Sequence, residues 1–179
     1  ADNGDYYLTF DTETDDYIFV EDHSSLDPEL GQWTIEGWIY LDGDDAGFIP
    51  IISKTNCEPY PAYEGWNLVI RTDTEAWGLG APSSGNFLSM FFIENNGQHM
   101  THTTSTTSIE VGKWTHIVVT SDISGDDTIK YYINGVLDET YYYHYDDNYS
   151  GVNSPCYTDE PLTIGGNSCP GNESSHFDG

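Results

Sequence analysis

Basic residues are the scarcest class in this 179-residue chain. Lys and Arg together number 4, against 31 Asp and Glu, and the formal net charge is −27. So acidic a surface repels phosphate groups, which excludes nucleic-acid binding and disfavours anionic membranes. Charge repulsion also destabilises compact and assembled states unless cations screen it. We therefore expect either a protein of a salty habitat or one that binds divalent ions, and both fit an extracellular location.

Long apolar runs are absent as well, and none approaches the length of a transmembrane helix, so membrane insertion is not expected. The sequence starts at Ala1 without an initiator methionine or a recognisable signal peptide, so we expect the mature form of an exported protein, secreted or on the cell surface. Helical periodicity is nearly absent, which favours an all-β fold. No linker or internal repeat divides the chain, so residues 1–179 are predicted to form a single domain.

Cysteine is rare, and any pairing of Cys57, Cys156 and Cys169 leaves one thiol over. We favour a disulfide between Cys156 and Cys169, which would indicate an oxidising compartment. Cys57 would then be a free or buried thiol, or an intermolecular link. Asn148 and Asn172 each begin an Asn-X-Ser triplet in polar surroundings, which predicts glycosylation, although such triplets also arise by chance.

Strand-like runs are what the chain has in abundance. From Trp114 to Thr120, β-branched and aromatic residues are dense, and an alternating run from Ile129 ends in Asn134-Gly135. Asn-Gly is a strong hairpin signal, because both residues tolerate the positive φ that a type I′ turn requires. The linking segment is rich in Asp, Ser and Gly, which favour turns. These runs predict antiparallel strands.

This block resembles the laminin G-like branch of the concanavalin A-like jelly rolls, in which a W-x-H-V strand is followed by a strand that ends in N-G. Further runs resemble strands of that family in the same order, and they are Tyr7 to Phe10, Tyr17 to Val20, Trp33 to Ile39, Ile51 to Lys54, Gly65 to Leu68 and Leu162 to Gly166. The resemblance implies an antiparallel two-sheet jelly-roll sandwich. It also implies a carbohydrate- or protein-binding module, sometimes stabilised by calcium.

The resemblance further implies that one strand is missing. In this family an F-x-G motif leads into the last strand, and here Phe177-Asp178-Gly179 ends the sequence. A sandwich without that strand exposes unpaired backbone groups beside an apolar slot. Either the sequence has been trimmed or another segment fills the slot, such as residues 1–7 of the same chain or of a neighbouring subunit. Donation between subunits would propagate open filaments or tubes.

Patterns that carry catalysis are not found. Jelly-roll glucanases place acid and nucleophile two residues apart on one strand, as Glu-x-Asp-x-Glu. Glu36 has Thr34 and Trp38 at the matching positions. No nucleophile elbow or closed zinc site is indicated, and His116 is interpreted as a structural residue of its strand. We predict that the protein is not an enzyme.

Calcium is the expected ligand, because clustered carboxylates in turns supply the oxygen atoms that it prefers. The spacing does not match an EF-hand loop, so the indication is compositional. The candidate ligands lie in three acidic loops and are Asp42, Asp44 and Asp45, then Asp122, Asp126 and Asp127, then Asp146 and Asp147.

Aromatic residues in or beside predicted loops are candidates for sugar or partner contact. They are Tyr60, Tyr63, Trp77, Tyr143, Tyr145 and Tyr149. Such rings can stack on sugar faces, but Tyr and Trp are equally enriched at protein interfaces. Thr101 to Ser108 is almost entirely Thr and Ser, which favours an exposed edge strand or a loop, or alternatively a site for O-linked sugar or subunit contact.

Two functions are consistent with these features. The first is a non-catalytic secreted subunit that assembles with copies of itself into a filament, tube or sheath, by strand donation and calcium bridging. The alternative is a carbohydrate-binding or adhesion module of a surface protein, with extracellular glycans as partners. The missing strand and an acidity that cations could bridge between subunits favour the first, and the family resemblance favours the second.

Overall fold

The computed structural model describes residues 6–11, 16–27, 32–43, 47–56, 64–72, 84–94, 99–122, 128–142, 158–166 and 177–179. Its strands are β1 (Ile18–Val20), β2 (Gln32–Tyr40), β3 (Phe48–Thr55), β4 (Gly65–Arg71), β5 (Phe87–Glu94), β6 (His99–Ser108), β7 (Trp114–Asp122), β8 (Thr128–Ile133), β9 (Val136–Tyr142) and β10 (Leu162–Ile164). A 3-10 turn spans Ser24–Leu26. None of the helical structure in these ranges is long and apolar enough to cross a membrane.

The strands form two antiparallel sheets, as the sequence predicts. The six-stranded sheet has the order β1-β10-β3-β4-β5-β6, and the four-stranded sheet has the order β2-β7-β8-β9. The fold is therefore an all-β jelly-roll sandwich. That residues 1–179 form a single domain stays a prediction.

Alternation along each strand determines which side chains enter the core. In β7, Thr115, Ile117 and Val119 are buried, whereas Trp114 and His116, which alternate with them, face outward. Successive side chains of a strand point to opposite faces, so every second residue of β7 points into the core. The inner face of β4 supplies Trp66, Leu68 and Ile70 to the same cluster, and the core therefore joins both sheets.

Two tyrosines tie the sheets together through their hydroxyl groups. The hydroxyl of Tyr131, fully buried in β8, accepts a hydrogen bond from Met90 N (3.0 Å) and donates to Thr103 O (3.0 Å). The Tyr141 hydroxyl in β9 donates to Thr104 O (2.6 Å). The acceptor carbonyls lie in β6, at the edge of the six-stranded sheet. The Thr- and Ser-rich run predicts an exposed edge strand or a loop; it is an edge strand, but Thr103, Thr104 and Ser105 in it are buried.

The six-stranded sheet contains a buried charge. Lys54 of β3 has no exposed side-chain surface, and its ammonium contacts Asp22 (2.8 Å), Asp27 (2.7 Å) and the carbonyl oxygen of Thr158. A buried charge is tolerated only when it is paired. These contacts fix the segment between β1 and β2 against the six-stranded sheet.

The turn at Asn134-Gly135 has the backbone that its sequence predicts, with φ of 52° and 77°. It joins β8 to β9. The segment Tyr7 to Phe10 differs from expectation, because it is not a strand. Phe10 instead pairs with Gly179 through two backbone hydrogen bonds, Phe10 N to Gly179 O (2.9 Å) and Gly179 N to Phe10 O (3.3 Å).

Candidate functional site

The outer face of the four-stranded sheet carries exposed aromatic side chains. Trp38 of β2 is 64% exposed and Trp114 of β7 is 47% exposed. Tyr40 and Tyr7 lie against Trp114, with ring centroids 5.6 Å and 5.7 Å from it. Exposed apolar surface that is contiguous usually marks a binding site in a soluble protein. We call this surface, together with the polar pair described next, the aromatic face.

A carboxylate and an imidazole lie beside these rings. His116 Nε2 donates to Glu36 Oε1 (3.0 Å), and the His116 ring packs on Trp38 with centroids 4.9 Å apart. The side chain of Glu36 is 61% exposed, so its second oxygen can accept hydrogen bonds from a ligand. Rings for stacking and acceptors for hydroxyl groups are therefore adjacent.

The turn after β8 holds His116 in place. His116 N donates to Asn134 Oδ1 (3.0 Å), and Asn134 N donates to His116 O (2.8 Å). This reciprocal pair fixes the end of the β8–β9 hairpin against β7. The imidazole is thus oriented from two sides, by the turn through its backbone and by Glu36 through its ring.

A groove of about 430 Å³ adjoins the aromatic face, and it runs between β2 and the β10 side of the six-stranded sheet. Its floor is apolar and includes Ile35, Ile39, Ile51, Ile52, Ile164 and Phe177. Trp38, Tyr40 and Trp114 also line it. We call this feature the groove.

The outer face of the six-stranded sheet is polar but closed. Ser89 Oγ donates to Thr104 Oγ1 (3.0 Å), and Arg71 lies over the ring of Phe91, 5.6 Å from its centroid. All four residues are less than 5% exposed. Since a ligand cannot reach these groups as they stand, the aromatic face is the better candidate site.

Most of the predicted site residues lie outside the described residues. They are the metal candidates Asp44, Asp45, Asp126, Asp127, Asp146 and Asp147, the contact candidates Tyr60, Tyr63, Trp77, Tyr143, Tyr145 and Tyr149, the cysteines Cys57, Cys156 and Cys169, and the glycosylation candidates Asn148 and Asn172. These assignments stay predictions.

Two predicted calcium ligands, Asp42 and Asp122, are described. Asp42 lies just past the end of β2 and is exposed, and its backbone N donates to Asp178 O (3.1 Å). Asp122 ends β7, and its Oδ2 accepts a hydrogen bond from Gln32 Nε2 (2.9 Å). Its other oxygen, Oδ1, is buried and has no hydrogen-bond partner within the ranges that the structure describes. In those ranges no three His, Cys, Asp or Glu side chains form a metal-binding group.

The aromatic face was not predicted from the sequence, although a signal for it exists. Ile35 and Ile39 face the core, so the alternating residues Glu36 and Trp38 must face outward. A glutamate in the middle of such a strand identifies its solvent face, and a tryptophan two residues along then has to be exposed. The same argument applied to His116 finds Trp114.

Comparisons with solved structures give the same fold at low sequence identity. A sialidase CBM40 of Ruminococcus gnavus bound to α2,3-sialyllactose matches with a TM-score of 0.57 and 14% identity, covering 83% of this chain and 71% of that one. The binding domain of Paraclostridial Mosquitocidal Protein 1 has a TM-score of 0.56 and 14% identity, covering 83% and 32%. The receptor-binding domain of botulinum neurotoxin D has a TM-score of 0.50 and 15% identity, covering 83% and 32%.

Sequence comparisons supply the family. A search of curated proteins gives no match. The sequence model described as the concanavalin A-like lectin/glucanases superfamily, of the laminin G type, matches residues 11–179. Its match extends from before β1 to the residues that pair with Phe10, so it includes both sheets. The chain therefore belongs to the laminin G-like branch of the concanavalin A-like lectin/glucanases superfamily.

Proposed function

We propose that this chain is a non-catalytic, extracellular carbohydrate-binding module and that the aromatic face holds the sugar. The observation that carries the proposal is the pair of exposed tryptophans beside the hydrogen-bonded Glu36 and His116. An aromatic ring covers the apolar face of a sugar, and the neighbouring carboxylate accepts from its hydroxyl groups. Similarity to a carbohydrate-binding module that was solved with a sialylated sugar supports this reading.

The ligand class follows from charge. At a net charge of −27, the protein repels acidic sugars, and Glu36 places a negative charge at the aromatic face itself. We therefore expect neutral glycans to bind, and we do not transfer the sialylated ligand of the Ruminococcus gnavus module to this chain.

A glycan array tests the proposal. We expect binding to neutral glycans, and we expect Trp38→Ala and Trp114→Ala each to weaken it about tenfold or more, as for the central aromatic residue of an interface. Tyr142→Ala is a matched control, because Tyr142 is 66% exposed on β9, at the opposite edge of the same sheet. If both tryptophan variants bind glycans as the wild type does, or if the wild type binds no glycan on the array, the aromatic face is not a sugar-binding site.

Assembly into a filament is the weaker of the two functions considered. The similar structures are a carbohydrate-binding module and toxin binding domains, which favour the binding module. Repulsion between copies of charge −27 also opposes assembly.

We propose calcium as a stabilising ligand at the turn between β7 and β8. The support is Asp122, whose Oδ1 is buried without a hydrogen-bond partner among the described residues. An orphaned carboxylate oxygen costs free energy that a cation would recover. Asp126 and Asp127 follow in sequence, but their positions lie outside the described residues.

A further inference from the structure

Lys54 of β3 places a primary amine between two carboxylates inside the fold. Its Nζ lies 2.8 Å from Asp22 Oδ1 and 2.7 Å from Asp27 Oδ1, and it also donates to the carbonyl oxygen of Thr158. The side chain of Lys54 has no exposed surface, whereas that of Asp27 is 11% exposed and that of Asp22 is 36% exposed. A nucleophile, a carboxyl group and a second carboxylate are therefore held together where little solvent reaches the amine.

The 3-10 turn Ser24–Leu26 lies between the two aspartates in sequence and holds them toward the amine. Asp27 follows the turn directly, and its backbone N donates to Ser24 O (3.4 Å). Asp27 Cγ is bonded to the Oδ1 that contacts Nζ, so Cγ and Nζ are at most about 4 Å apart. Well-aligned groups that a fold holds in such proximity react as if each were present at about 10⁵ M or more.

An amide bond would remove the electrostatic cost of this site. Taking an ammonium and a carboxylate out of water costs free energy that their mutual attraction returns only in part. A neutral amide does not have this cost, and its formation releases a water molecule. The pair of Lys113 with Glu110 differs, because its side chains are 63% and 67% exposed and remain solvated.

We propose that Lys54 and Asp27 form an intramolecular isopeptide bond between Lys54 Nζ and Asp27 Cγ. The ammonium gives up two of its three protons, and both end on one carboxyl oxygen of Asp27. That oxygen leaves as water, so a C–N bond replaces a C–O bond and nothing is oxidised or reduced. Asp22 contacts the same Nζ, accepts each proton in turn and passes it to the leaving oxygen, and is unchanged at the end.

The bond would join β3 covalently to the segment that precedes β2. It would close a loop from residue 27 to residue 54 that stays closed when the protein unfolds, and a cross-link of this kind lowers the entropy of the unfolded chain as a disulfide does. This modification is independent of glycan binding, because none of its residues belongs to the aromatic face.

The mass of the intact protein tests the proposal. For reduced, folded protein made in bacteria, we expect a mass below that of the sequence by one water molecule. Trypsin does not cut after an acylated lysine, so a digest of the denatured protein should contain residues 1–71 as one fragment. Cleavage after Lys113 in the same digest is the internal control.

A second digest identifies the joined residues. A glutamate-specific protease cuts after Glu29 and Glu36, both of which lie between Asp27 and Lys54 in the sequence. We expect the peptides that contain Asp27 and Lys54 to remain linked after this cleavage, and their fragment-ion spectra to place the link on those two side chains.

Variants of the two aspartates test their separate roles. Asp27→Asn should still form the bond, with loss of ammonia instead of water, and should therefore reach the same final mass as the wild type. Asp22→Asn should slow bond formation at least tenfold, measured by mass at intervals after cell-free synthesis. Glu110→Gln is the matched control, because it alters the exposed pair with Lys113 and should leave the rate unchanged.

Three results would overturn the proposal. A folded protein with the full mass of its sequence, from which trypsin releases residues 1–54, would leave Lys54 as an ion pair only. A loss of water that persists in Lys54→Met would place the reaction elsewhere, since Asp42-Gly43 and Asp178-Gly179 can lose water by forming a succinimide. Bond formation in Asp22→Asn at the wild-type rate would show that Asp22 does not carry the protons.

Discussion

At the scale of single residues, buried polar groups connect the two sheets by hydrogen bonds. Tyr131 and Tyr141 reach from the four-stranded sheet to β5 and β6 with hydroxyl groups that are hydrogen-bonded. Burial raises the pKa of both hydroxyls, in the case of Tyr131 far above the ordinary value of about 10. Both tyrosines are therefore neutral in the folded protein well into the alkaline range.

Tyr131→Phe should cost about 1–3 kcal/mol of unfolding free energy, because Met90 N and Thr103 O lose their partner. The difference in unfolding free energy between Tyr131→Phe and the wild type should become smaller above about pH 10. There the unfolded wild type releases the proton of Tyr131, whereas the folded wild type keeps it. A raised pKa in the fold means that stability falls as pH rises there. Urea unfolding from pH 7 to 11 measures this, and a difference that stays constant to pH 11 would contradict it.

Lys54→Met should destabilise the protein by about 3 kcal/mol, because it leaves Asp27 partly buried without its counter-charge. The control is Lys113→Met, which removes an exposed pair with Glu110 and should change the unfolding free energy by less than about 0.5 kcal/mol. Equal effects in urea unfolding would show that the burial of Lys54 has no energetic consequence.

At the scale of elements, local chemistry could be predicted and long-range placement could not. Asn134-Gly135 specifies its turn because positive φ is a property of those two residues. The alternation in β2 and β7 likewise predicts strands. By contrast, the serines and threonines of β6 do not indicate that the carbonyl oxygens of Thr103 and Thr104 accept hydrogen bonds from tyrosines of the other sheet. A local sequence pattern holds no information about contacts between sheets. Tyr7 to Phe10 has the composition of a strand, but its one backbone hydrogen-bond partner among the described residues, Gly179, is at the other end of the sequence.

Gly135→Ala should lower the unfolding free energy by about 1–2 kcal/mol, since φ at Gly135 is +77° and a β-carbon is strained there. The matched control is Gly37→Ala, at a glycine without a positive φ and with open space around its β-carbon. We expect that variant to be as stable as the wild type or more stable. If both variants behave alike in thermal unfolding, the turn does not need its glycine.

At the scale of the whole molecule, acidity dominates the surface. All but 4 of the 35 charged Asp, Glu, Lys and Arg side chains are negative. Composition predicted this repulsion and its consequences for partners, but not where a ligand would bind. The predicted contact residues lie in or beside predicted loops, whereas the exposed tryptophans that the structure describes, Trp38 and Trp114, lie within strands. The position of Glu36 identifies the outer face of β2, and Trp38, two residues along, lies on the same face.

Thermal stability should rise with sodium chloride, because screening weakens the self-repulsion. At equal ionic strength, calcium chloride should raise the melting temperature further than sodium chloride. Asp122→Asn should remove that excess but keep the response to sodium chloride. A calcium effect no larger than that of matched sodium chloride would contradict a specific calcium site.

The most direct test of the central claim is a glycan titration followed by NMR of the indole N–H signals. Trp38 and Trp114 are exposed, whereas the indole nitrogens of Trp33 and Trp66 are buried, so the protein contains its own controls. With a neutral oligosaccharide we predict saturable shifts of the Trp38 and Trp114 signals and unchanged signals from Trp33 and Trp66. Saturable glycan binding that leaves the Trp38 and Trp114 signals in place would contradict the aromatic face as the sugar site.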